Sequence, residues 1–237
     1  MSEFLSVLEQ GAKQLEIELS QKQAGQMREH WRMVCDYNQK VNLTAIKEDN
    51  LAAEKHYLDS LLLLPYLQYG MHCLDLGSGA GFPGTPLAIA YPQTSWLLLE
   101  SLQKRCLFLQ QAKEALGLDN LEVYCGRAEK AGRDIQCRGK FDLVTARAVA
   151  SMPVLLEYAL PFLKTGGVFV AMKGPSPREE VEQSANALAL LGASIIKTEA
   201  ITLPVSGESR TFVLIKKINE TPDKYPRREG MPEKAPL

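Results

Sequence analysis

Four glycines between residues 77 and 84 break the segment Cys73-Leu74-Asp75-Leu76-Gly77-Ser78-Gly79-Ala80-Gly81-Phe82-Pro83-Gly84 just after a short apolar run that carries one acid, Asp75. Glycine has no Cβ, so it takes positive φ freely and lets a ligand lie directly against main-chain N–H groups. A helix entered from about Gly84 and running through Ala90 turns the positive end of its dipole toward that loop. Gly79 to Gly84 satisfies G-x-G-x-x-G, and Glu100 stands 21 residues after Gly79, the spacing of a nicotinamide dinucleotide fingerprint. Asp75 and Gly77 extend the pattern to D-x-G-x-G-x-G, and Pro83 and Pro86 fall where a dinucleotide-binding helix is already running. Glu100 ends the next apolar run, residues 95–100, where its carboxylate can accept hydrogen bonds from both hydroxyls of a ribose.

The D-x-G-x-G-x-G form resembles the glycine loop of class I S-adenosylmethionine (AdoMet) methyltransferases. The resemblance implies a cofactor whose methionine part is wrapped by Asp75, Gly77, Gly79 and Gly81, with Glu100 on its ribose. In an open α/β sheet the ligand lies at the carboxyl ends of the strands, so the loop after each strand is where chemistry is sought. Gly126-Arg127-Ala128-Glu129, after the third strand, suits the adenine end, with Glu129 or a backbone group near the exocyclic amine. Thr145-Ala146-Arg147-Ala148, after the fourth, occupies the place where such enzymes handle their target. No Asp/Asn-Pro-Pro-aromatic segment stands there to orient an exocyclic amine, no cysteine to attack cytosine C5, and an arginine replaces the acid that ribose 2′-O methylation needs. What remains is an acceptor with a free lone pair and no proton to lose, such as guanine N7. It requires alignment, with cationic donors for O6 and phosphate, rather than a general base. Arg147, Lys173 at the end of the fifth strand, and Arg210 are the candidates for that positioning.

These residues need a sheet to carry them. Short apolar strands near 72–76, 95–100, 121–125, 141–146, 166–172, 194–203 and 211–217 alternate with helices near 84–91, 104–116, 129–134, 153–163 and 177–191. That alternation predicts a parallel sheet covered on both faces. The last two strands are joined through residues 204–210 without a helix and are expected to form an antiparallel hairpin at the sheet end. Before the first strand, Phe4, Leu8, Ala12, Leu15 and Leu19 follow a cap at Ser2, and Ala24, Met27, Trp31, Val34, Asn38 and Val41 follow a cap at Ser20. A third helical stretch runs from about Asp49 to Leu64, where Pro65 stops it. The expected organisation is an N-terminal helical cap (1–70), a cofactor-binding domain (71–218) and a basic, Pro-rich tail (219–237).

With 237 residues, 46% of them apolar, the chain can bury one good core and an added subdomain. No apolar run reaches the roughly 20 residues a membrane span needs, and the N-terminus lacks the basic and apolar regions of a secretory signal. Five cysteines without a C-x-x-C pair are expected to be reduced core thiols of a cytoplasmic protein, and His30, His56 and His72 lack the spacing of metal ligands. The net charge of −1 excludes a broadly basic nucleic-acid binder, but residues 210–237 carry seven basic and four acidic side chains, a local +3 that could meet RNA.

Asn42-Leu43-Thr44, His56-Tyr57-Leu58-Asp59-Ser60, the loop Gly77 to Gly84 with Pro86-Leu87-Ala88-Ile89, and Lys104-Arg105-Cys106-Leu107-Phe108-Leu109 together resemble the ribosomal small-subunit methyltransferase G family, also called glucose-inhibited division protein B. Arg147-Ala148-Val149-Ala150, Lys173-Gly174 and Tyr225-Pro226-Arg227-Arg228 extend the match over nearly the whole chain from residue 40. The resemblance implies the class I AdoMet-dependent methyltransferase fold, a Rossmann-like, mostly parallel seven-stranded sheet ending in an antiparallel hairpin. It also implies methylation of a guanine N7 in 16S rRNA, with cofactor positions at Gly77, Phe82, Ala128, Glu129 and Arg147. The expected partner is the small ribosomal subunit or an assembly intermediate, met by a monomer, with no metal and no membrane. An AdoMet-dependent methyltransferase of a small molecule under the helical cap, a nicotinamide-dependent oxidoreductase and a non-catalytic RNA-binding protein are the alternatives.

Overall fold

A computed structural model describes residues 2–175 and 177–237. Two long helices open the chain. In α1 (Glu3–Gln14) Ser2 accepts the N–H of Leu5, and in α2 (Gln21–Asn38) Ser20 and Gln23 close a reciprocal capping box. Asn38 ends α2, earlier than the apolar stripe through Val41 suggests, because its side-chain oxygen accepts the N–H groups of Leu43 and Thr44 and turns the chain. The third stretch is one rod in three pieces. A short α3 (Asp49–Ala52) widens into a π-helical segment, Ala53–Leu58, and returns to α4 (Asp59–Leu61). Such insertions recur at functional sites because they re-aim the side chains they carry.

From His72 the strands β1 (His72–Leu76), β2 (Ser95–Glu100), β3 (Leu121–Cys125), β4 (Phe141–Arg147), β5 (Leu163–Lys173), β6 (Ala193–Thr202) and β7 (Ser209–Lys217) form one sheet in the order β3-β2-β1-β4-β5-β7-β6. The first five are mutually parallel, whereas β7 runs antiparallel between β5 and β6, so the hairpin folds back into the sheet. Order reverses across β1, which lies between β2 and β4, and there the crevice for a ligand opens.

Successive residues of one strand face opposite layers. In β1, Cys73 joins the core under α2, α5 (Gly84–Ala90) and α6 (Gln103–Leu116), while Leu74 and Leu76 join the core under α7 (Ala128–Ala131), α8 (Met152–Ala159) and α10 (Ala185–Leu191). The helical cap is continuous with the first of these cores: Phe4, Leu8, Trp31, Tyr57 and Leu61 are buried in the same cluster as Phe82, Leu98 and Phe108. Polar contacts fix the docking, because Gln23 donates to the carbonyls of Ile89 and Ala90 at the end of α5, and Gln26 to that of Leu116 at the end of α6. Each bond satisfies a carbonyl that a helix terminus leaves unpaired.

Two expectations need correction. The helix expected over 177–191 is two, α9 (Arg178–Glu182) and α10, broken where Ser184 donates its hydroxyl to the carbonyl of Glu180. The cysteines are not all reduced thiols. Cys106 on α6 and Cys125 at the end of β3 lie with Cα atoms 5.7 Å apart and form a disulfide, because α6 packs directly along β3. Cys35, Cys73 and Cys137 are free.

Candidate cofactor and acceptor site

After Leu76 the chain leaves β1 through backbone bonds that the glycines make possible. The N–H groups of Gly77 and Ser78 donate to the carbonyl of Leu99 on β2, and the turn closes as Gly81 and Phe82 donate to Ser78. Gly77, Gly79 and Gly81 have φ of +73°, +57° and +93°, values that L side chains rarely adopt. Their surroundings differ. A Cβ on Gly77 would press on Val149 at 2.7 Å and one on Gly81 on Thr85, whereas one on Gly79 meets nothing within 4 Å. Gly79 is therefore the position where the loop opens onto free space.

The Gly79 N–H donates to Glu100 Oε2 at 2.9 Å, while Glu100 Oε1 accepts the N–H groups of Ser101 and Leu102, so the end of β2 and the loop form one unit. Asp75 is wholly buried beneath the loop. One of its carboxylate oxygens accepts the Gly84 N–H at 3.0 Å and the other, Oδ1, has no partner among the described residues. Burial outweighs that bond and pushes the Asp75 carboxyl up to about 7. An unpartnered buried acceptor and a glycine facing open space suit a ligand with cationic and hydroxyl donors, as AdoMet has.

Beside the loop, at the carboxyl ends of β1 to β4, lies a cavity of about 190 Å³. Gly77, Leu99, Ala128, Glu129, Val149 and Tyr158 are among its lining residues, with Glu233 from the far end of the chain. Of the sequence candidates, Gly77, Ala128 and Glu129 thus share one wall, and Glu100 sits between two lining residues, Leu99 and Ser101. Glu129 is buried and its Oε1 already accepts the N–H of Gly230, a contact that spacing could not foretell. The Phe82 side chain faces away from this cavity into an aromatic cluster, stacked on His56 with centroids 4.4 Å apart and edge-on to Tyr57.

On that far side of Phe82, the cap and the sheet meet through Asp59. Asp59 is 2% exposed, and its two carboxylate oxygens divide between two arginines: Oδ2 accepts Arg147 Nη1 at 2.7 Å and Oδ1 accepts Arg210 Nε at 3.1 Å. Arg147 also donates to the Lys55 carbonyl and to His56 Nδ1, and its guanidinium lies 5.5 Å from the Phe82 ring centroid. Because Arg147 can only donate, His56 Nδ1 is the acceptor and Nε2 carries the proton that goes to Thr44 Oγ1, 2.8 Å away. Burial first, and the Arg147 charge second, push His56 down to about 3 and hold it neutral. Its neighbour His30 is fully buried against Tyr57 and Phe82 and is held down to about 4 by burial.

Arg147 and Arg210 are thus brought together, but Lys173 is not. It donates to the Ala150 carbonyl at 2.8 Å and to Glu180 at 2.7 Å, bracing the β4–α8 loop where Ala148 has φ +55°. His56, Asp59 and Thr44 lay within recognisable motifs, and the three-residue spacing of His56 and Asp59 places both on one face of a helical rod. Their partners Arg147 and Arg210 come from strands 88 and 151 residues beyond Asp59. Among the described residues no group of three His, Cys, Asp or Glu side chains could hold a metal ion, and no helix is long and apolar enough to cross a membrane.

The model of the family described as rRNA small subunit methyltransferase G matches residues 23–207. The chain belongs to that family. Proteins named ribosomal RNA small subunit methyltransferase G are 41% identical over 98% of both chains in Alkaliphilus metalliredigens, 42% identical over 100% of both in Pelotomaculum thermopropionicum, and 45% identical over 93% of both in Lactobacillus acidophilus. Solved structures share the fold at lower identity. Pyrococcus horikoshii TYW2 in complex with MeSAdo has a TM-score of 0.55 at 15% identity, covering 68% of this chain and 62% of that one. M. jannaschii TYW2 in complex with AdoMet has a TM-score of 0.52 at 16% identity, covering 86% of this chain and 80% of that one. The chain is an AdoMet-dependent rRNA methyltransferase, and the nicotinamide reading of its glycine loop has no support from its relatives.

Proposed function

We propose that the enzyme methylates N7 of a guanine in 16S rRNA, acting on the small ribosomal subunit or an assembly intermediate in the cytoplasm. The choice of atom rests on how the ionisable groups at the end of β4 are engaged. Both oxygens of Asp59 accept from arginines, both nitrogens of His56 are bonded, and Glu180 is held by Lys173 and the Met152 N–H. No such group is free to take a proton from an attacking amine or hydroxyl, and guanine N7 attacks with a lone pair and releases none.

AdoMet supplies, when bound, a methyl group activated by a sulfonium. Gly79 would leave room for it, the glycine loop, held from beneath by the Asp75–Gly84 bond, would lie against its methionine part, and Glu100 would accept ribose hydroxyls with lone pairs that Gly79 leaves free. Gly77, Gly81 and Phe82 fix the loop, the last through its stack with His56. Arg147 and Arg210 present donors to guanine O6 and phosphate, while Lys173 stays on Glu180 and the Ala150 carbonyl and positions the loop after β4. Methyl transfer moves one positive charge from sulfur to the base, and the Asp59 carboxylate between the two arginines moderates their repulsion of that charge. The test is incubation with labelled AdoMet and small ribosomal subunits followed by nucleoside analysis. Label in 7-methylguanosine is expected, and label on a ribose oxygen or an exocyclic amine refutes the assignment.

A further inference from the structure

The C-terminal tail, residues 219–237, balances four basic side chains with four acidic ones, and its polar groups are used to bind it to the rest of the protein. Arg227 is clamped on Glu157, a wholly buried carboxylate that accepts its Nε, Nη2 and backbone N–H. Arg133 and Arg138 reach back from the β3–β4 connection to the carbonyls of Pro226, Tyr225 and Thr221. The chain then turns at Gly230, whose N–H donates to Glu129 at 3.0 Å, and enters α11 (Met231–Lys234). There Glu233 Oε1 accepts the hydroxyl of Tyr158 at 3.3 Å, and Glu233 lines the cavity that Ala128, Glu129 and Tyr158 also line. Several anchors therefore converge on placing one carboxylate, on a residue otherwise exposed, at the adenine end of a cavity more than 100 residues away in sequence from its other walls at β3.

We propose that the tail segment 229–234 is a wall of the cofactor site and that Glu233 selects adenine there, its Oε2 accepting from the 6-amino group, with Tyr158 and the Glu129–Gly230 bond as positioning contacts. This rests on the cavity being the AdoMet site. The chemistry favours an amine for a direct reason: an ionised carboxylate only accepts hydrogen bonds, so it welcomes the N–H donors of adenine and repels the 6-oxo group of hypoxanthine. Glu129, assigned from sequence to the amine, has one oxygen committed to the tail, whereas Glu233 Oε2 has no hydrogen-bond partner among the described residues.

The experiment is calorimetric titration of the full chain with S-adenosylhomocysteine and with its 6-oxo analogue S-inosylhomocysteine. Wild type is expected to prefer the adenine compound, and Glu233→Ala to weaken that compound roughly tenfold, as loss of a hydrogen bond to a charged acceptor does, while the inosine compound, relieved of the repulsion, binds as tightly as before or more tightly. Hydrogen exchange at residues 230–234 is expected to slow when S-adenosylhomocysteine is added. Equal weakening of both compounds, or unchanged binding of both with no change in exchange, overturns the proposal. Failure of wild type to bind either compound instead overturns the assignment of the cavity to AdoMet.

Discussion

Replacing Asp59 by alanine tests whether the acceptor side is held together by one buried carboxylate. The substitution removes the charge that lies 2.7 Å from Arg147 and 3.1 Å from Arg210, two guanidiniums whose side chains are themselves only 19% and 21% exposed. Removing one partner of a buried ion pair leaves the other charge uncompensated and costs about 3–5 kcal/mol. Here two charges lose their partner, but Arg210 keeps Glu208 at 3.3 Å and Arg147 keeps the Lys55 carbonyl, so the lower half of that range is expected. For a chain of this size, about 3 kcal/mol corresponds to a fall in Tm of roughly 6–12 °C. Urea unfolding monitored by tryptophan fluorescence is a suitable assay, since Trp31 and Trp96 are buried on the cap and sheet sides of one core. The midpoint is expected to fall with an unchanged m value, and Asp59→Asn to fall less, because an amide oxygen still accepts one of the two bonds. A loss below about 1 kcal/mol for Asp59→Ala means that the arginines are solvated independently, and the clamp is refuted.

Glu100→Ala is expected to weaken AdoMet by about 1.5–3 kcal/mol for each ribose bond lost, with the fold retained, and unchanged affinity by titration removes Glu100 from the ribose. Gly79→Val is expected to abolish AdoMet binding, both by filling the open space and by forcing a β-branched residue to φ +57°, and a ligand-bound structure of the variant with an unmoved loop contradicts this. The pH dependence has a signed expectation. His30 and His56 fall from 6.5 to about 4 and about 3 on folding, so the stability they confer is complete above pH 6.5 and is lost as pH falls, whereas Asp75, raised from 3.8 to about 7, contributes stability that is lost as pH rises toward 7. At pH 5 the unfolded chain holds about two more protons on the histidines and about one fewer on Asp75, so these groups make stability rise by roughly 1.2 kcal/mol per pH unit. Asp75→Asn is expected to add a further 1.3 kcal/mol or so per pH unit to that slope, and parallel stability–pH curves for the two proteins disprove the raised carboxyl.

The parts of the molecule legible in its sequence are those set by local rules. A helix period after Ser2 and Ser20, a strand that breaks at Gly77, and two strands joined by a short loop lacking helical character each follow from residues near one another, and the parallel pairing follows from the alternation of strands with crossovers, whereas the strand order, with β7 inserted between β5 and β6, does not. What stayed hidden depends on pairing across distance. The sequence offers three cations at the acceptor side, but only the fold assigns Arg147 and Arg210 to Asp59 and Lys173 to Glu180. The cysteine spacing carries no sign that α6 brings Cys106 against Cys125.

By composition residues 219–237 are proline-rich and highly charged, with four basic side chains balanced by four acidic ones, and such segments stay disordered unless they bury enough apolar surface to offset the entropy of ordering. This one buries Tyr225 and Pro232, but its order comes chiefly from polar groups that the rest of the chain would otherwise leave unpaired. Glu157 is wholly buried on α8, and an uncompensated carboxylate there would be costly. Arg227 neutralises it with two Nε contacts, an Nη2 contact at 2.6 Å and its own backbone N–H. The requirement is mutual: the tail needs Glu157 to be ordered, and α8 needs the tail to keep a charge in its core. Since α8 also carries Tyr158, whose hydroxyl holds Glu233 at the cavity, the contact that orders the tail also fixes the register of the wall it builds there.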